Sequence, residues 1–167
     1  TASGLDRYNP ENGHIKNFRP YAAAPDSEPD NGVSSILFSK KGDMWLGTDR
    51  GLIHFDPNTQ RYKRYSHIDG DKNSFSGGDI WWLSESKDGH IWIATDGGGL
   101  NMFSPETETF VQFKNEPGRA SSLNSSVVRT VIEDSNGDLW VGNYPSGVNF
   151  FDKSSAAISA YTPDAAN

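Results

Sequence analysis

An all-β fold of repeated four-stranded antiparallel blades is predicted by three features of the sequence. One motif recurs every 47 or 48 residues, turn residues separate short apolar runs, and few windows free of Gly and Pro are long enough for a helix. Trp45, Trp92 and Trp140 step by 47 and 48 residues, and Gly42, Gly89 and Gly137 keep those steps, each three residues ahead of its Trp. Gly4-Leu5, Gly51-Leu52, Gly99-Leu100 and Gly147-Val148 run in the same register. So do the closing aromatics Phe18, Tyr65, Phe113 and Tyr161. A unit of about 40–45 residues carrying four strands is a β-propeller blade. The extra length sits in polar connections such as 66–79.

The units follow in order. Residues 1–20 form a half blade, because Thr1-Ala2-Ser3-Gly4 matches Thr48-Asp49-Arg50-Gly51 and so lacks the first two strands. Residues 33–66, 79–114 and 127–162 form full blades. In the second full unit, Ile80 to Glu85, Ile91 to Ala94, Leu100 to Phe103 and Thr109 to Phe113 read as strands. Lys87-Asp88-Gly89, Asp96-Gly97-Gly98-Gly99 and Ser104-Pro105-Glu106-Thr107 separate them. Asp-Gly and Asn-Gly between aromatic or β-branched runs are hairpin signals, because such turns need positive φ.

One segment points elsewhere. Residues 119–136 hold no Gly or Pro, and Leu123, Val127, Val128, Val131 and Ile132 follow helical spacing. Val128 to Asp134 nevertheless aligns with Val33 to Ser39 and Ile80 to Ser86, and the repeat register predicts a strand. The total is fourteen strands, about three and a half blades, a partial propeller forming an open arc. Such an arc is expected to form a homo-oligomer that completes the propeller. Trp45, Trp92 and Trp140 are expected in the core between blades, with Trp82 in the core beside them.

Composition removes several function classes. Fifteen Lys and Arg against twenty-two Asp and Glu leave a net charge of −7 over 167 residues, which lacks the basic footprint of a nucleic-acid binder. No apolar run approaches the roughly 20 residues that cross a bilayer, so no membrane contact is expected of this segment. With no Cys, a disulfide scaffold, a thiol nucleophile and a thiolate metal site are excluded.

No catalytic constellation emerges. His90 takes the turn position held elsewhere by Asp43 and Asp138, and His54 lies within the strand from Leu52 to Phe55. There is no Gly-x-Ser-x-Gly elbow. The run from Asp69 to Asn73 alternates oxygen ligands as a calcium loop does, but Ser74 and Ile80 stand where that loop needs Gly and Glu. Asp134-Ser135-Asn136-Gly137-Asp138 reads as a hairpin turn. Asp96-Gly97-Gly98-Gly99 precedes a strand, whereas a phosphate cradle needs a helix N-terminus. Neither cofactor nor metal is expected.

What remains is recognition. In a propeller the second-to-third-strand turns share one face around the axis, and here they offer Asp49, Arg50, Asp96, Asn143 and Tyr144. Among residues that otherwise repeat faithfully, the position after the first inner-strand apolar residue varies from Ser34 to Trp81 to Arg129. Such variation suggests freedom from packing and an axial aspect. The candidate ligand-binding residues are therefore Trp81, Arg129, Asp49, Arg50, Asp96 and Tyr144. Aromatic faces beside carboxylates and Arg suit a small molecule or oligosaccharide, which offers C–H faces and hydroxyls.

The segments Ser34-Ser35-Ile36, Gly42-Asp43-Met44-Trp45-Leu46-Gly47-Thr48-Asp49-Arg50-Gly51-Leu52 and Phe55-Asp56-Pro57 resemble the two-component regulator propeller repeat. So do Ile91 to Leu100 and Glu133 to Gly142, with Asn73-Ser74-Phe75-Ser76 and Ser121-Ser122-Leu123-Asn124 matching the family's Ser-Leu element. The resemblance implies a periplasmic sensor region of an inner-membrane signalling protein. An immunoglobulin-like domain, a transmembrane helix and a cytoplasmic output domain are expected to follow it. That output is a histidine kinase, often a hybrid that senses oligosaccharides, or alternatively a diguanylate cyclase. Departures are the short first blade, Ala94 in place of Gly47 and Gly142, and Asn143-Tyr144-Pro145-Ser146 in place of the Thr-Asp turn. A second alternative is a fragment of an enzyme similar to streptogramin lyase, which would need a His on an inner strand or axial turn near a Glu. The segment itself is expected not to be an enzyme.

Overall fold

The computed structural model describes residues 4–19, 32–155 and 157–162. Fourteen strands run in order: β1 Leu5–Tyr8, β2 Ile15–Phe18, β3 Val33–Phe38, β4 Met44–Thr48, β5 Gly51–Asp56, β6 Arg61–Tyr65, β7 Asp79–Glu85, β8 Ile91–Asp96, β9 Leu100–Ser104, β10 Thr109–Phe113, β11 Val128–Glu133, β12 Leu139–Asn143, β13 Gly147–Asp152 and β14 Ala157–Tyr161. They form one two-stranded hairpin, β1-β2, and three antiparallel four-stranded meanders, β3 to β6, β7 to β10 and β11 to β14. The fold is all-β, built of propeller blades. Thr1 to Ser3, where the matched start of the half blade falls, lie outside the described residues, as do 20–31 and 163–167.

The repeated glycines have local causes. In each full unit the first hairpin closes on a glycine with positive φ, at 90° for Gly42, 82° for Gly89 and 91° for Gly137. One side chain fixes that turn every time. Ser39 Oγ, Ser86 Oγ and Asp134 Oδ1 accept the backbone N–H four residues on, at 3.1, 3.0 and 3.1 Å. The glycine of each Gly-Leu pair answers a close approach. A Cβ on Gly51 or Gly99 would stand 2.3 or 2.2 Å from the carbonyl oxygen of Tyr65 or Phe113, at the end of the fourth strand.

Neighbouring sheets meet through their first strands, with β7 packed between β3 and β11. Two core clusters fill the wedges between the complete blades, one around Trp45, Phe75, Phe103 and Phe110 and the next around Trp92, Leu123, Val128 and Val131. Phe75 and Leu123, from the connections that precede β7 and β11, are almost wholly buried and plug the two wedges. A polar latch repeats at the rim. Lys40 N donates to Glu85 Oε2 at 2.8 Å, and Lys87 N donates to Glu133 Oε2 at 3.1 Å. Burial of apolar side chains in these wedges contributes about 25 cal/mol per Å2.

Each first strand carries a β-bulge, between Val33 and Ser35, Ile80 and Trp82, and Val128 and Thr130. The bulge adds one residue, so buried positions fall three apart, at Ile80 and Leu83 and at Val128 and Val131. This spacing is what imitates a helix in the sequence before Asn136. The bulge also corrects the placement of Trp82. With Ile80 and Leu83 inward, both residues between them face out, and Trp82 is 45% exposed rather than core. Trp140, on the last described sheet, differs from its two repeat partners. Trp45 and Trp92 are 3% and 8% exposed, but Trp140 is 38% exposed. It stacks within its own blade on Phe150 and Tyr161, with no further described sheet over it.

Candidate ligand-binding site

The bulged residues Ser34, Trp81 and Arg129 stand at one repeat position on three adjacent inner strands. A bulge leaves its extra residue outside the ladder and re-aims its side chain. Ser34 turns back into the backbone: its hydroxyl lies within hydrogen-bond reach of two carbonyl oxygens, Gly47 O at 3.0 Å and Ile80 O on the next blade. Trp81 stays 41% exposed, and the guanidinium of Arg129, from the following blade, lies 4.1 Å over its ring. The same guanidinium stands 5.5 Å from the centroid of Tyr144.

The turns complete the cluster. An isolated bridge between Asp96 and Val127 ties the end of β8 to the start of the next blade. It sets Asp96 Oδ2 3.8 Å from Arg129 Nη2. Tyr144 N donates to Val127 O at 2.9 Å, which holds the β12–β13 turn against the same strand. Arg129 is thus flanked by two aromatic faces and one carboxylate, with all these groups partly exposed. Each cation–π contact at such a site contributes about 0.5–1 kcal/mol. A surface ion pair of this kind adds about 0–1 kcal/mol.

On the other side of Trp81 a cleft of about 310 Å3 is lined by Gly32, Ser34, Asp49, Asp79 and Ile80 among others. A Cβ on Gly32 would meet Asp49 Oδ1 at 3.8 Å, so the carboxylate borders that glycine. Of the six residues singled out by sequence, Trp81, Arg129, Asp96 and Tyr144 are brought together, and Asp49 shares the cleft with Trp81. Arg50 lies in the β4–β5 turn, where its N–H donates to Thr48 Oγ1 at 3.1 Å, and it does not line the cleft. Asp79 was missed. It aligns with Gly32 and Val127, and the variation that marked Trp81 marks this position too.

The other polar motifs serve the fold. Gly97 N and Gly99 N both donate to Ser126 O, at 3.1 and 2.9 Å, so the Gly-rich turn spends its N–H groups on the next connection. Asp71 Oδ1 accepts Asn73 N at 2.8 Å, and Asp134 Oδ1 accepts Asn136 N at 2.8 Å. Among the described residues no three His, Asp or Glu side chains gather as a metal site would require. His54 stacks on Trp45 with centroids 4.4 Å apart and bonds Asp43 at 3.0 Å. His67 bonds Phe75 O at 2.8 Å, and His90 sits in the β7–β8 turn. None of these three is on β3, β7 or β11.

The family model described as two component regulator propeller matches residues 27–50, 74–97 and 122–144. Solved structures share the fold. The extracellular domain of a protein assigned as a hybrid two-component system of B. thetaiotaomicron is 28% identical, with a TM-score of 0.71 over 80% of this chain and 18% of its own. A second such domain from that organism is 20% identical, with a TM-score of 0.75 over 99% of this chain and 21% of its own. A virginiamycin B lyase from Staphylococcus aureus is 14% identical, with a TM-score of 0.66 over 99% of this chain and 50% of its own. The chain spans about a fifth of the length of the two extracellular domains. No curated protein matches it significantly.

Proposed function

We propose, from the match of three segments to the two component regulator propeller model, that the chain is a ligand-sensing segment of an extracytoplasmic sensor propeller in a two-component signalling protein. The observation that carries this reading is the Arg129 guanidinium held between Trp81 and Tyr144, with Asp96 beside it, at the bulged axial position. An aromatic face takes the C–H face of a sugar ring, and the Arg and carboxylates take its hydroxyls. The ligand class is an oligosaccharide. Likeness to extracellular domains of hybrid two-component proteins supports a place outside the cytoplasm, which we assign to the periplasm, and an output by histidine kinase.

The alternative of a lyase fragment lacks support in the residues, since His14, His54, His67 and His90 all lie off the first strands and off the second-to-third-strand turns. A diguanylate cyclase output would leave the sensing segment unchanged. The test is calorimetry against a panel of neutral and uronate-containing oligosaccharides. Saturable binding by the wild type, weakened at least about tenfold in Trp81→Ala and Arg129→Ala, is the expected result. Equal binding in these variants, or none across the panel, overturns the reading.

We also propose that the segment pairs with a second copy through the face bearing Trp140, Phe150 and Tyr161. Trp140 is exposed there at the repeat position where Trp45 and Trp92 are covered by the next blade.

A further inference from the structure

The three complete blades hold the turn between their second and third strands in two different ways. Thr48 Oγ1 donates to Gly51 O at 2.8 Å, and Thr95 Oγ1 donates to Gly99 O at 2.7 Å, so a hydroxyl clamps each of the first two turns from within. Asn143 takes that repeat position in the third blade. Its Nδ2 donates to Val141 O at 3.1 Å and to Asn149 Oδ1 at 2.8 Å, and the amide is spent outside the turn.

The third turn is held instead by the connection that precedes β11. Tyr144 N donates to Val127 O at 2.9 Å, and Ser125 Oγ donates to Tyr144 O at 3.0 Å. Both backbone polar groups of Tyr144 are thereby engaged by one short segment. The Ser125 hydroxyl also accepts Val127 N at 3.0 Å, which leaves its proton for Tyr144 O. Asn124 Nδ2 donates to Ser146 O, further along the turn. The anchor is itself secured, since Ser126 Oγ accepts Asn115 N at 3.1 Å. Ser126 O takes Gly97 N and Gly99 N from the turn that carries Asp96. One connection thus fixes the turns bearing Asp96 and Tyr144 and runs directly into Arg129. Tyr144 depends on it, because its ring is 60% exposed and burial does not place it beside Arg129. The preceding connection has Gly77 and Gly78 where Ser125 and Ser126 stand, and so has no hydroxyl to offer.

We propose that Ser125 is a positioning residue of the Trp81–Arg129 site, supported by Asn124. It holds Tyr144 against the Arg129 guanidinium, so that both aromatic faces are in place before a ligand arrives. A preset turn spares binding the cost of ordering it. The inference rests on the sensing reading, since only there is Tyr144 a ligand contact. The test is nuclear magnetic resonance of the whole chain without ligand. The Arg129 Nε–H and δ-methylene signals, assigned by comparison with Arg129→Lys, carry ring-current shifts from Trp81 and Tyr144. Tyr144→Leu removes one of these contributions. Ser125→Ala should move the Arg129 signals in the same direction as Tyr144→Leu, and so should Asn124→Ser. Ser125→Thr keeps the hydroxyl and should leave the signals at their wild-type positions. The Tyr144 amide should exchange with solvent about two- to tenfold faster in Ser125→Ala, as loss of a net hydrogen bond implies. Arg129 signals that stay in place in folded Ser125→Ala and Asn124→Ser overturn the proposal, even if melting temperatures fall. Signals displaced as far in Ser125→Thr as in Ser125→Ala overturn it too, because the hydroxyl would then be irrelevant. No ligand enters this measurement, so a failure here is distinct from a failure of the oligosaccharide titrations.

Discussion

At the scale of single residues, glycine shows how a repeat is held in register. Gly97 and Gly99 have similar φ values, 89° and 83°, yet their surroundings differ. A Cβ at Gly97 meets nothing within 4 Å, whereas at Gly99 it would sit 2.2 Å from Phe113 O. Gly97→Ala should therefore cost only the left-handed backbone penalty, about 1–2 kcal/mol. Gly99→Ala must in addition displace the end of β10. Its melting temperature should lie below that of Gly97→Ala by several degrees, since about 1 kcal/mol moves a domain of this size by ~2–4 °C. Equal melting temperatures would show that the fourth strand yields freely.

At the scale of elements, the bulged first strand and the plugging connection decide the packing. The bulge turns Trp81 and Trp82 outward together while Ile80 and Leu83 stay inside. The connection ahead of β7 drops Phe75 into the wedge, where it lies 6.0 Å from Phe110. Its backbone is secured by buried Asn101, whose Oδ1 accepts Ser76 N at 3.0 Å while its Nδ2 donates to Ser76 Oγ at 2.7 Å. Asn149 repeats this contact one blade on, accepting Asn124 N at 3.1 Å. Phe75→Ala opens a cavity in a wedge without slack, and about 3–5 kcal/mol of stability should be lost in denaturant titration. Leu123→Ala, at the matching position of the second wedge, should cost less, because it removes a smaller side chain. The connection's sequence showed a recurring Ser-Leu element but not its burial, and the bulge left only the unexplained variation at Ser34, Trp81 and Arg129.

At the scale of the whole molecule, stability runs from blade to blade. Each four-stranded sheet touches the next through an inner strand, a plugged wedge and a Lys–Glu latch, as in other repeat architectures. The last sheet presents Trp140 and Tyr161 with rings 6.3 Å apart and near parallel, an aromatic face of the kind that other blades cover. If a second copy covers it, light scattering should give twice the chain mass at micromolar concentration. Trp140→Glu should return the mass of one chain. A single-chain mass for the wild type removes the self-association proposal and leaves the sensing site standing.

Much was determined by the sequence alone. The period, the four-strand unit and the positive-φ turns all follow from local chemistry repeated in register. Even the strand hidden in a helix-like stretch is recoverable, because register constrains β11 more strongly than spacing within one window. Tertiary structure decided whatever depends on two blades at once. Trp82 and Trp140 pack or stand exposed according to the bulge and the adjacent sheet, neither of which a residue's own neighbours encode. Arg129 reaches Trp81 across 48 positions of chain.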